Sequence, residues 1–351
     1  MIALLSAGHA AAADDEPVRL VTAVAYGTHL PGLGEPAVSL AKMLKERSGG
    51  AVTLDLKQPG DGTKPDEILD KVASGGIDAG FAPAGFWAAK LPAAALFSGF
   101  PFGPDAKLYF DWFEHGNGRK LDQEMYDHAG LKVHVMPCAF AGAETGGWFA
   151  KEIKTKADID GLRMRIFGLG ARVMSRLGAT PVLVPGGDVL AAFAAGKIDA
   201  AELYPPAVDE RQGLKDKIKL IYMPGWHQPE TVLELIINQE RWQALSERQR
   251  GLIQGACLAT LQSTLAGNAQ LEADALAKIA KAGVRVEPWP QDVLAALRSA
   301  WTEIAREEGD RDYFFKTVFD DIEKFRAKAN GGSAPNGSTA PDASAEAKAA
   351  P

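Results

Sequence analysis

Residues 161–168 read Gly161-Leu-Arg-Met-Arg-Ile-Phe-Gly168, so apolar Leu162, Met164 and Ile166 alternate with Arg163 and Arg165. That alternation belongs to a strand, and glycines bound it on both sides. Two arginines therefore share one face of a strand end. A helix over 169–177 is expected after the Gly168-Leu-Gly170 turn, and open α/β sheets bind ligands in the crevice outside such carboxyl ends. An anion is the natural guest there. Downstream, Ile198-Asp-Ala-Ala-Glu-Leu-Tyr-Pro-Pro206 and Tyr222-Met-Pro-Gly-Trp-His-Gln-Pro229 each break from a strand into a loop of Pro, Gly and aromatic residues. Both loops can return polar groups to the same place. The residues alone point to a small-anion site on an α/β scaffold.

The surrounding chain sets limits on that site. With 351 residues, 46% of them hydrophobic and 24% charged, it is a globular sequence long enough for two domains. A net charge of −7 without any long Lys/Arg run excludes nucleic acid as a partner, because such binding needs clustered cations. The first residues, Met1-Ile-Ala-Leu-Leu-Ser-Ala-Gly-His-Ala-Ala-Ala-Ala13, look like the apolar part and cleavage region of a secretory signal that lacks its basic start. Nothing later reaches the ~18 apolar residues of a spanning helix, so a soluble, exported mature chain is expected. The two cysteines, Cys138 and Cys257, read by default as buried free thiols, with one disulfide the alternative in an oxidising compartment.

Taken in order, a strand over 18–26, a loop over 27–34, a helix from Pro36 to about Gly49, a strand over 51–57 and a helix over 66–74 make a βαβ start. Gly32-Leu-Gly34-Glu-Pro-Ala37 formally matches a dinucleotide fingerprint, but the loop is too long and Pro36 is misplaced for a phosphate-cradling turn. Ser74-Gly-Gly-Ile-Asp-Ala-Gly-Phe-Ala-Pro83 echoes Ala195-Gly-Lys-Ile-Asp-Ala-Ala-Glu-Leu-Tyr-Pro205. Two related lobes would explain the echo; so would the general preference for Gly at helix ends. The Pro/Gly-broken run over 92–103 reads as a loop packed between lobes. Helices over 105–114 and 119–128, strands over 131–136 and 147–150, a crossing near 137–146 and a returning strand over 231–237 follow. Ser246-Glu-Arg-Gln249 is a capping box that opens a long helix to about Lys281. A strand over 284–289 and helices over 292–308 and 312–327 complete the chain.

No nucleophile elbow, Walker loop, zinc motif or EF-hand is present, and the six histidines are scattered. An enzyme is not expected; one built on Glu144, Glu202 and His227 around a metal is the reading to be excluded.

Gly146-Gly-Trp-Phe149, Asp160-Gly-Leu-Arg-Met-Arg-Ile166, Leu177-Gly-Ala-Thr-Pro-Val182, Pro185-Gly-Gly-Asp188, Gly196-Lys-Ile-Asp-Ala-Ala-Glu202 and Pro224-Gly-Trp-His227 together resemble the solute-binding proteins of tripartite ATP-independent periplasmic (TRAP) transporters, the DctP-like family. The likeness covers about 18–327 and is greatest to the branch that binds 2-oxo and 2-hydroxy monocarboxylates beside a metal ion. It implies an α/β, two-lobed periplasmic solute-binding fold with mixed sheets, hinge strands and a long helix bracing both lobes. On that plan residues 1–17 are a leader, 18–138 with 229–250 one lobe, 139–228 with parts of 282–327 the other, 246–281 the brace and 330–351 a disordered tail. The implied partners are a small organic acid and the membrane permease subunits, and the receptor is a monomer or a homodimer. A sensor module for a carboxylate would share this fold.

By resemblance, Arg165 forms the fork for the ligand carboxylate, chemistry that suits a planar guanidinium. Arg163 is read as a salt-bridging residue. The family's metal ligands fall on Glu144, Glu202, Gln228 and a backbone carbonyl near Leu203, an oxygen set suited to Ca²⁺ or Na⁺. Two departures stand out: Glu144 occupies a position that is usually Gln, and Leu203-Tyr204-Pro205-Pro206 replaces Trp-x-Gly-Pro. The extra carboxylate favours Ca²⁺ over Na⁺. Glu202 has the alternative role of pairing with Arg165. Tyr26, Trp87, Tyr204 and Trp226 either wall the pocket or pack between lobes, while Trp148 and Phe149 are core.

Overall fold

The computed structural model describes residues 16–331. The expected leader over 1–17 and tail over 330–351 lie outside it except for Glu16, Pro17, Asn330 and Gly331. Among the described residues eleven strands divide between two sheets: β1 (Val18–Val24), β2 (Val52–Lys57), β3 (Ala79–Ala82), β4 (Val133–Phe140), β5 (Trp148–Phe149), β6 (Arg163–Arg165), β7 (Thr180–Pro181), β8 (Ala200–Ala201), β9 (Leu220–Met223), β10 (Val232–Asn238) and β11 (Arg285–Pro288). The first sheet runs β2-β1-β3-β10-β4 and the second β11-β9-β5-β8-β6-β7. In each, parallel pairs such as β1–β3 and β6–β8 adjoin antiparallel ones such as β10–β4 and β5–β8. The strand read over 161–168 is shorter than expected, because Phe167 already caps the helix Gly168–Arg176.

The chain leaves the first sheet after Phe140, returns to it at Val232, and leaves it again along the helix Glu247–Lys281. The two connecting segments, 141–147 and 224–231, lie side by side: Ala141 N donates to Thr231 O at 2.8 Å and Glu144 N to Gln228 O at 3.3 Å, while Gly146 N donates to Tyr222 O near the end of β9 at 2.7 Å. At Gly225 a Cβ would stand 2.2 Å from the Glu144 carbonyl oxygen. Only glycine permits so close a backbone approach.

The capping box at Ser246 forms as read, with Gln249 N donating to Ser246 Oγ at 3.1 Å and Ser246 N to Gln249 Oε1 at 3.0 Å. The helix has 35 residues and so is roughly 50 Å long. Near its start Ile253, Ala256 and Cys257 cover one face of the first sheet; near its end Leu276 and Ile279 cover one face of the second. Helices Gln291–Arg311 and Tyr313–Ala329 close the opposite faces, within a core that runs through both lobes. Arg172 and Arg176 tie the first of these helices to the second sheet's lobe through Glu303, Glu307 and Glu308. Asp321 ties the other to the first lobe, accepting from Trp112 Nε1 and Asn117 Nδ2 at 2.7 Å each.

Two expectations are corrected. Cys138 on β4 and Cys257 on the long helix are not free thiols but a disulfide, because helix and strand pack closely enough to put their Cα atoms 4.3 Å apart. The run over 92–103 is not all loop: Ala94–Ser98 forms a short, wholly buried helix in which Ala, Leu and Phe supply the packing. The echo between the two halves has a physical basis. Asp78 just before β3 accepts from Val21 N on neighbouring β1 at 2.9 Å and pairs with Arg241. Asp199 just before β8 accepts from Arg163 N on neighbouring β6 at 3.2 Å and pairs with Arg163. Each Ile-Asp-Ala string uses its aspartate to fasten the next parallel strand.

Candidate ligand and cation site

Register between β6 and β8 builds half of the site. Arg165 stands opposite Ala201, and Glu202 N donates to Arg165 O at 3.0 Å, so both side chains leave the same sheet edge together. Arg165 Nη1 donates to the Glu202 carbonyl oxygen at 2.6 Å and to Glu202 Oε1 at 3.0 Å, and Nε reaches Val184 O at 3.3 Å. The guanidinium also lies 5.2 Å from the centre of the Phe167 ring. Arg163, two residues earlier on the same face, is taken by Asp199 and the Gly196 carbonyl.

The connecting segments supply the other half. Glu144 comes from the first, His227 and Gln228 from the second. His227 Nε2 is 3.0 Å from Glu144 Oε2 and 3.7 Å from Glu202 Oε2, while Gln228 Nε2 donates to Glu144 Oε1 at 3.1 Å and to Thr231 Oγ1. Ligand atoms of Glu144, Glu202 and His227 all lie within 4.8 Å of one another, and all three residues are buried. The receptor reading of the sequence left His227 out of this site, and only the alternative of a metal-dependent enzyme joined it to Glu144 and Glu202. Its place beside Gln228, in a Pro/Gly loop already assigned to the site, was the available signal.

The remaining candidates separate. Tyr26, just past β1, meets Tyr204, just past β8, edge to face at 6.5 Å. Enclosure first, then Glu144, Tyr204 and Glu202, push the Tyr26 phenol far above its usual range. Trp226 is buried against Phe102 and next to the His227 ring. Trp87 turns into the core, where its indole N–H donates to Tyr126 Oη at 3.0 Å, away from the carboxylates. Leu203 packs its side chain into the second lobe's core, and only its backbone is free to serve the site.

Electrostatically the site is short of positive charge. Burial pushes the Glu144 carboxyl up to about 8 against the pull of Arg165, and Glu202 up to about 7. Burial also holds the His227 imidazole below its usual value, opposed by Glu202. Buried carboxylates without compensation are costly, and a cation between Glu144 and Glu202 would remove that cost. The donor set fits a metal ion.

Comparison with known proteins agrees. Residues 31–311 match the family model DctP, bacterial extracellular solute-binding protein family 7. The chain belongs to this family. A monocarboxylate 2-oxoacid-binding periplasmic protein from Nostoc is 32% identical over 290 residues, which cover 83% of this chain and 79% of that one. A TRAP periplasmic solute-binding protein from Colwellia psychrerythraea, solved with calcium and pyruvate, superposes with a TM-score of 0.84 at 28% identity, covering 90% of this chain and 96% of that one. One from Pseudoalteromonas atlantica, solved with sodium and pyruvate, gives 0.83 at 27%, covering 90% and 95%. The family's two-lobed fold accounts for the two sheets and their shared long helix. Members of the family are solute receptors of transporters and not enzymes. Among the described residues no helix is long and apolar enough to cross a membrane.

Proposed function

We propose that this protein is the periplasmic receptor of a TRAP transporter, capturing a 2-oxo or 2-hydroxy monocarboxylate between Arg165 and a divalent cation and delivering it to the membrane permease. The observation that carries the reading is the juxtaposition of one guanidinium with two buried carboxylates at the meeting of the lobes. Two carboxylates and one guanidinium leave one negative charge, and an arriving monocarboxylate makes two. A divalent ion neutralises both; Na⁺ leaves one. Glu144 and Glu202 would hold the ion, with the Gln228 side-chain oxygen and the Leu203 carbonyl completing an oxygen set suited to Ca²⁺. When bound, the ion supplies a positive charge for the ligand's carboxylate and 2-oxygen.

The chain's own residues do the rest. Arg165 offers a rigid fork whose Nε and Nη1 are anchored by backbone carbonyls, so the guanidinium is oriented before the ligand arrives. Tyr26 and Tyr204 close over the site from opposite lobes and exclude water, which strengthens each charged contact. The disulfide suits an oxidising compartment, in keeping with export.

A thermal-shift screen of ion-stripped protein tests the proposal, with pyruvate and lactate against dicarboxylates, each with Ca²⁺, with Na⁺ and without added ion. Ligand at ~100 times its dissociation constant adds about 2.7 kcal/mol. Stabilisation by a monocarboxylate only with Ca²⁺ supports the reading; stabilisation by dicarboxylates without ion overturns the branch and the ion site.

A further inference from the structure

His227 is the one member of the buried cluster that the carboxylate-and-cation reading does not use. Its ring is fixed from several directions. The Trp226 ring lies 5.6 Å away at 76°, and on the facing helix a Cβ at Gly170 would come within 3.0 Å of the His227 Cβ. Nε2 faces Glu144 Oε2 at 3.0 Å and Glu202 Oε2 at 3.7 Å. Nδ1 is buried and meets no hydrogen-bond partner among the described residues.

These facts decide which nitrogen carries the proton. With Glu144 ionised, as it must be to hold a cation, a bare Nε2 lone pair at 3.0 Å would set two acceptors face to face. A proton on Nδ1 would be a buried donor with nothing to donate to, the rarer and costlier defect compared with an unused lone pair. Both considerations place the hydrogen on Nε2. The imidazole is thus a donor toward the carboxylates. It is also unlike a ligating histidine, which hands its second N–H to a carbonyl or carboxylate.

We propose that His227 is a positioning residue of the cation site. Its Nε2–H holds Glu144 against Glu202 at the separation an ion meets, and by occupying that nitrogen it keeps imidazole out of the coordination sphere. Gln228 Nε2 steadies the other Glu144 oxygen at 3.1 Å, so both oxygens of this carboxylate are aimed by donors from the second connecting segment. The consequence is specificity. Although carboxylates and a histidine cluster here, the ion sees only oxygen, which favours Ca²⁺ over metals that seek nitrogen, such as Co²⁺ or Zn²⁺. This inference rests on the cation site proposed above.

The experiment is calorimetric titration of ion-stripped, full-length protein with Ca²⁺ in the presence of pyruvate, for the wild type, His227→Gln and His227→Leu. Co²⁺ absorption spectra are recorded on the same three proteins. The Gln amide can replace the Nε2–H donor; Leu cannot. His227→Leu is expected to weaken Ca²⁺ binding about 10- to 100-fold, the usual loss on removing a partner that orients a metal's ligand. His227→Gln should stay within about 5-fold of wild type, and its Co²⁺ spectrum should match the wild-type one. Should Gln be as damaging as Leu and the Co²⁺ bands move with it, the imidazole is a ligand and the proposal is overturned. Unchanged Ca²⁺ binding in His227→Leu would overturn it too, leaving the receptor reading intact. If the wild type binds neither Ca²⁺ nor pyruvate, the receptor reading fails together with this one.

Discussion

Tyr26 and Tyr204 stack edge to face across the cleft with their planes at 89°. One follows a strand of the first sheet and the other a strand of the second, so separating the lobes must break this contact. Edge-to-face pairs contribute about 0.5–1.5 kcal/mol beyond area burial. Tyr204→Ala should therefore weaken ligand binding about 2- to 12-fold. The loss should appear chiefly in the dissociation rate by stopped-flow fluorescence, since related complexes differ mostly there.

Arg165→Ala removes the fork and leaves Glu202 buried without its cation. Breaking a buried pair costs about 3–5 kcal/mol. Carboxylate binding should vanish in calorimetry, and the ion-stripped variant should melt earlier than wild type. Arg165→Lys should not restore binding, because an ammonium cannot donate in the same planar geometry. Wild-type affinity in the lysine variant would count against the fork.

The site carboxyls make the ion-free protein respond to pH in an unusual direction. Glu144 at about 8 and Glu202 at about 7 stand above their unfolded values near 4.5, as do Glu230 at about 8 and Glu272 at about 7. The folded state therefore holds more protons than the unfolded chain between roughly pH 4.5 and 8. Stability is highest at the acid end of that window and falls as pH rises, by up to about 1.4 kcal/mol per unit for each such group. Melting of ion-stripped protein from pH 5.5 to 8.5 should show this fall, and Ca²⁺ should remove the part of it owed to Glu144 and Glu202. Ion binding should also release protons, read as a buffer-dependent calorimetric enthalpy.

The disulfide fastens the bracing helix to β4 in the first lobe, closing a separation of 119 residues. Replacing both Cys138 and Cys257 by Ala should cost about 2–5 kcal/mol in urea unfolding. Ligand affinity should change little, because neither cysteine reaches the site. A larger effect on affinity than on stability would show that the helix anchor takes part in closure.

Much of this molecule was legible in residue order. Alternation and capping residues act over a few positions, so the strands at 18–24, 52–57 and 232–238 and the start of the long helix at Ser246 stand within one or two residues of their reading. The family strings carried Arg165 and Glu202, and the likeness to the family's metal ligands added Glu144, for the same reason: short motifs carry strand ends and loops with them. What the string could not carry was anything set by contact between distant segments. Free thiols and a disulfide look alike until helix and strand are packed. The short helix at Ala94–Ser98 is held by burial, not by local signals. Among the described histidines, His227 is set apart because two backbone segments lie close enough, at Gly225, to bring its ring to Glu144.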